Sequence, residues 1–124
     1  MNRFLLVCLG GAAGSGARYL LAMWVTAKAG SGFPFGTLAV NVTGSFAMGF
    51  LAEFAAAHQM SETTRIALAA GVLGGFTTYS AFNEETLRFL QLDAWGTAAM
   101  NVGVTVVACL AAGFAGVAAA RAAG

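Results

Sequence analysis

Few charged residues interrupt this chain, and that scarcity constrains its fold more than any other feature. Only 9% of its 124 residues are Asp, Glu, Lys or Arg, against 59% hydrophobic ones. A water-soluble domain carries roughly 25% charged residues. So few charges cannot clothe a globule in hydrated surface, and lipid is the solvent that suits such a chain. A spanning helix needs about 20 mainly apolar residues. Four stretches supply them, at about 3–26, 35–57, 64–89 and 94–120. The run after Arg3 continues past Gly10 and Gly14 to about Val25. That is too long for the apolar part of a secretory signal, so it is expected to stay as the first spanning helix.

The connections are short, which makes successive helices antiparallel and leaves one four-helix domain over residues 1–124. Ser61 stands where it can cap the third helix. Trp24, Trp95 and Phe33 fall near helix ends, where aromatic rings collect at a membrane interface; ordinary packing explains them equally. Small residues recur at close spacing (Gly10 and Gly14, Ser45 and Gly49, Gly71 with Gly74 and Gly75, Gly113 and Gly116), as helices that approach closely in lipid require.

Several functions drop out. A net charge of +1 with no basic run and no RNA-reading motif excludes nucleic acid as a partner. Cys8 and Cys109 form no CxxC or Cys/His cluster and read as buried small residues, and His58 has no partner ligand. No nucleophile, base and acid stand together as an enzyme requires. The basic residues also carry almost no positive-inside signal. Arg3, Arg65 and Arg121 on one side face Lys28 and Arg88 on the other, three against two. The chain is therefore expected to insert both ways and pair antiparallel with itself. Four thin helices enclose little space alone, which also favours an oligomer.

Polar groups inside the apolar segments each need a reason. Arg18 costs about 2.5–3.5 kcal/mol at mid-membrane. It is either a clamp on backbone carbonyls or a vestibule charge that draws anions. Thr37, Asn41 and Ser45 form a stripe on the second helix, and Asn101, Thr105 and Cys109 another on the fourth. Together they suggest a path lined by uncharged donors, although interhelical hydrogen bonding explains either stripe alone. The acidic residues lie near helix ends, where Glu84 is expected to pair with Arg88. The lack of a mid-helix carboxylate argues against a proton-coupled cation pump.

The stretch Gly74-Gly75-Phe76-Thr77-Thr78-Tyr79-Ser80-Ala81-Phe82 is a poor helix interior. A break around Gly74–Ser80 is expected in the third helix, buried in protein or lining a site. Freed carbonyls there can hold a cation. At mid-depth, the break can meet its own copy across the twofold axis of an antiparallel dimer. Tyr79 and Phe82 share one face and can offer electropositive ring edges to a small anion.

These segments resemble the Fluc (CrcB-type) fluoride channels. The matching pieces are Gly16-Ala17-Arg18-Tyr19, the run from Gly36 to Phe46 that holds Thr37, Asn41 and Ser45, and the run from Gly74 to Phe82. The resemblance covers essentially the whole chain. It implies an antiparallel, dual-topology homodimer in a prokaryotic plasma membrane (the inner membrane in a Gram-negative cell), exporting fluoride passively through two pores built from both subunits. It implies pore roles for Asn41, for the ring pair Tyr79 and Phe82, and for the polar track Thr37, Ser80, Thr105 and Cys109. It implies that Arg18 is the helix 1 arginine, and that Na⁺ is held at the dimer centre by the carbonyls of Gly74 and Thr77. Tyr79 stands where the family usually has phenylalanine, Cys109 where a serine hydroxyl is common, and Asn83 where serine is usual. A small multidrug transporter shares the four-helix antiparallel plan. That class relies on a membrane-embedded glutamate in helix 1, and helix 1 here carries no acid.

Overall fold

The computed structural model describes residues 2–124, and every regular element in them is helical. Helix α1 covers Asn2–Ala29 and α2 covers Phe35–Ala57. The third segment is composite. It opens with α3, Glu62–Ile66, continues as a π-helix over Ala67–Leu73, and closes its first half with α4, Gly74–Phe76. Its second half is α5, Tyr79–Gln91, and α6 follows as Trp95–Ala123. Helices α1, α2 and α6 are each long and apolar enough to cross a membrane. The third segment divides into halves.

Ser61 caps α3 as its position suggested, its hydroxyl accepting from Thr64 N at 3.1 Å. The break falls at Thr77 and Thr78, both in extended conformation, with φ/ψ of −79°/154° and −147°/114°. The two glycines before it stay helical. The residues that leave the helix are β-branched threonines, whose hydroxyls bond to nearby backbone. Thr77 donates through Oγ1 to Leu73 O at 2.9 Å, and Thr78 Oγ1 caps α5 by accepting from Ala81 N at 3.2 Å.

Backbone contact through glycine assembles the bundle. α1 packs on the π-helix and α4, and α2 packs most extensively on α6. Gly14 lies on the Val72 carbonyl, Gly75 on Gly11, Gly49 on Gly113 and Gly116 on the Phe46 carbonyl, with no room for a Cβ at any of the four. In lipid the hydrophobic effect does not drive helices together, so this close van der Waals approach must supply much of the association.

The chain buries few large apolar side chains, chiefly Val40, Leu51 and Phe82. Phe4, Leu9, Val107 and Phe114 stand largely exposed, as suits residues facing lipid or a second chain. One end of the bundle carries two ion pairs, Arg3 with Glu62 at 3.5 Å and Arg121 with Glu53 at 3.1 Å. At the other end, the expected pair of Glu84 with Arg88 does not form among the described residues. Both side chains are exposed. Water solvates them there, and fixing two long chains in one geometry would gain little.

Candidate functional site

The break carries the site, and α2 holds it open. Asn41 is buried in α2 and grips Thr78 at two points: Nδ2 donates to Thr78 O at 2.9 Å, and Oδ1 accepts from Thr78 N at 2.8 Å. One side-chain amide thus replaces the helical partners that this peptide has lost. Gly44, one turn below Asn41 (three residues on), provides the seat into which the Thr77 methyl fits. In a continuous helix Thr78 N would close on Gly74 O. Here it goes to Asn41, while Ala81 N goes to Thr78 Oγ1 rather than to Thr77 O. The carbonyls of Gly74 and Thr77 are thereby freed, which suits the donor set expected for a hard cation. No group of three His, Cys, Asp or Glu side chains suited to a metal forms among the described residues.

Beside this clamp lies a cavity of about 520 Å³, open to the surface of the chain. Asn41, Thr77, Tyr79, Phe82, Thr105 and Cys109 all line it, with Ser45 and Met48. Tyr79 and Phe82 meet edge to face, their centroids 5.6 Å apart and their planes at 71°. Phe82 is 9% exposed and Tyr79 77%, so this chain encloses one ring and leaves the other uncovered. A second groove of about 400 Å³ continues along α2 and α6, sharing Ser45, Met48, Cys109 and Leu110 with the first. The N-terminus of α5 opens at Thr78, so its partial positive charge is directed into the same region.

Other expected site residues lie elsewhere. Arg18 and Thr37 line a separate cavity of about 210 Å³, with Tyr19, Val40 and Ala81; Thr78 borders both spaces. Among the described residues Arg18 makes no hydrogen bond to a carbonyl, and its Nε is buried without a partner. The expected clamp of Arg18 on backbone carbonyls is therefore not made. Ser80 is exposed, its Oγ 3.2 Å from Thr78 Oγ1.

The polar stripes divide their work. Thr37 donates to Glu85 Oε2 at 2.8 Å, Asn41 holds Thr78, and Asn101 Nδ2 donates to Thr86 Oγ1 at 2.9 Å. Each of these bonds lands on the broken segment. Ser45, Thr105 and Cys109, lower on each stripe, turn to the cavities instead. Glu85 corrects the expectation that the acidic residues lie near helix ends and that no carboxylate lies mid-helix. It lies mid-way along α5 rather than at an end, with Oε1 buried and unpartnered. The signal was present in the sequence, because Glu85 continues the i, i+3 face of Tyr79 and Phe82.

The sequence of the chain is similar to those of known proteins. The family described as CrcB-like protein, Camphor Resistance (CrcB), matches residues 5–117. A protein of Sorangium cellulosum named fluoride-specific ion channel FluC is 48% identical over 122 residues, covering 98% of this chain and 96% of its own. Proteins of the same name from Anaeromyxobacter dehalogenans and Caulobacter vibrioides are 51% and 47% identical, covering 93% and 98% of this chain and 92% and 97% of their own.

Proposed function

The chain belongs to the CrcB-like family, and from that premise we propose that it is a fluoride-selective channel of the bacterial plasma membrane, working as an antiparallel pair of copies that lets fluoride leave down its gradient. The observation that carries the reading is the convergence of Asn41, Phe82, Thr105 and the start of α5 on one cavity beside the break. Fluoride is small and strongly hydrated, so a path for it must replace water with donors yet hold the ion loosely. Asn41 has one N–H left after gripping Thr78. Thr105 and Ser45 add hydroxyls, Cys109 a weaker thiol, and the rings of Tyr79 and Phe82 add electropositive edges. Arg18 raises the local anion concentration in its vestibule.

The third segment crosses the membrane as two halves, making four spans, and its break meets that of the second copy near mid-depth. Each cavity, open in one chain, is closed by the other copy, and Tyr79 gains cover there. The freed carbonyls of Gly74 and Thr77 from both copies would hold Na⁺, whose charge offsets converging carbonyl dipoles at the centre. The alternative, a small multidrug transporter, has no carboxylate on α1 to work with.

Purified protein in liposomes is expected to release fluoride, followed by electrode, while chloride is retained. Fluoride release no faster than from empty vesicles removes the channel reading. A reporter fused to the C-terminus is expected to read from both sides of the membrane. A signal from one side only rules out the antiparallel pair.

A further inference from the structure

Asn101 is the most deeply buried polar side chain among the described residues, 1% exposed, and the channel reading gives it no role. It sits one turn from Thr105 on the same face of α6. Its Nδ2 donates to Thr86 Oγ1 at 2.9 Å, and the Thr86 hydroxyl donates in turn to Phe82 O at 2.8 Å. A threonine hydroxyl has one proton and two lone pairs. With the proton committed to Phe82 O, the oxygen can only accept, and the Asn101 amide supplies the donor. The bonds therefore run one way, from α6 to the carbonyl of the residue whose ring lines the cavity.

The broken segment explains why such a tie is required. α5 is cut off from the hydrogen-bond ladder of α4 at Thr77 and Thr78. The preceding half cannot set its rotation, so lateral bonds must. Asn41 holds its first turn from α2, Thr37 reaches Glu85, and Asn101 holds the turn after Phe82 from α6. Only the last tie runs through Phe82's own carbonyl.

We infer that Asn101 is a positioning residue for anion selection: acting through Thr86, it fixes the rotation of α5 and so the place of the Phe82 ring edge. This rests on the channel reading. Loosening the ring widens the gap without removing the donors on Asn41 and Thr105, so discrimination falls before conduction does.

The test uses Thr86→Val, Asn101→Leu and the conservative Thr86→Ser, each reconstituted and assayed for fluoride and chloride efflux. Thr86→Val and Asn101→Leu are expected to keep fluoride efflux while chloride efflux rises by about tenfold, the weight of one buried hydrogen bond. Thr86→Ser retains the hydroxyl and is expected to exclude chloride as the wild type does. If Thr86→Val and Asn101→Leu exclude chloride as the wild type does, the inference is overturned. Should Asn101→Leu not assemble, Thr86→Val, which exchanges a hydroxyl for a methyl, decides the matter alone. If the wild type itself carries no fluoride, the channel reading has failed, and hydrogen exchange then tests the tie separately. Faster exchange at the amides of 82–90 in Thr86→Val supports the tie, and unchanged exchange overturns it.

Discussion

Asn41→Asp is expected to stop fluoride efflux, lowering the rate by at least about 100-fold, or roughly 2.8 kcal/mol. The substitution preserves size, so no cavity opens in the buried site. Oδ1 can still accept from Thr78 N, now at 2.8 Å. The bond from Nδ2 to Thr78 O, now 2.9 Å, becomes two oxygens facing each other. An unpaired buried carbonyl costs about 1–3 kcal/mol. A carboxylate beside the cavity also places negative charge in the way of an anion, with little water to screen it. Both effects act in the same direction. The measurement is electrode-detected efflux, with gel filtration to show that assembly is unchanged. An assembled variant conducting within about threefold of wild type would falsify both the clamp and the pore role of Asn41.

Gly14→Leu is expected to yield no monodisperse protein in detergent. A Cβ at this position falls on the Val72 carbonyl, with Phe76 N 3.0 Å away. Both neighbours are backbone, one in the π-helix and one beside the break, so neither can swing aside as a side chain can. Overpacking of a filled core costs about 1–3 kcal/mol even for a few added methylenes, and here α1 must separate from its partner. Gly14→Ala adds the same Cβ without the rest of the side chain and is expected to shift elution in the same direction, less than Gly14→Leu. Gly16 provides the control on the same helix, because a Cβ there meets nothing within 4 Å. Gly16→Leu is expected to behave as wild type. A sharp elution peak for Gly14→Leu would show that α1 does not dock through this glycine.

Much of this was legible in the chain itself, for reasons that act locally. Apolar length marked the three helices long enough to cross a membrane, and the poor helix formers between Gly74 and Ser80 marked the stretch where the third segment gives way. The exact residues of the break were less legible. Adjacent glycines looked like its cause, yet Gly74–Phe76 remain helical and Gly75 serves close contact with Gly11. The threonines give way because Asn41 and Gly44 on another helix hold them extended. The π-helix over Ala67–Leu73 left no mark in the sequence pattern, since nothing in an Ala- and Gly-rich run distinguishes it from α.

By itself, the sequence settled the solvent of this protein, its helical segments and the stretch, Gly74 to Ser80, within which the third is interrupted. These follow from hydropathy summed over about 20 residues and from propensities within a turn or two. Only the tertiary structure decided which polar groups brace the break and which line the cavity. Thr37 and Ser45 look alike on one stripe, as do Asn101 and Thr105 on the other. Their roles part because a hydrogen bond needs its partner within about 3 Å. Whether a partner stands there depends on how each helix is rotated against its neighbour. Glycines meeting backbone across the interfaces set that rotation, at Gly14 on Val72, Gly49 on Gly113 and Gly116 on Phe46.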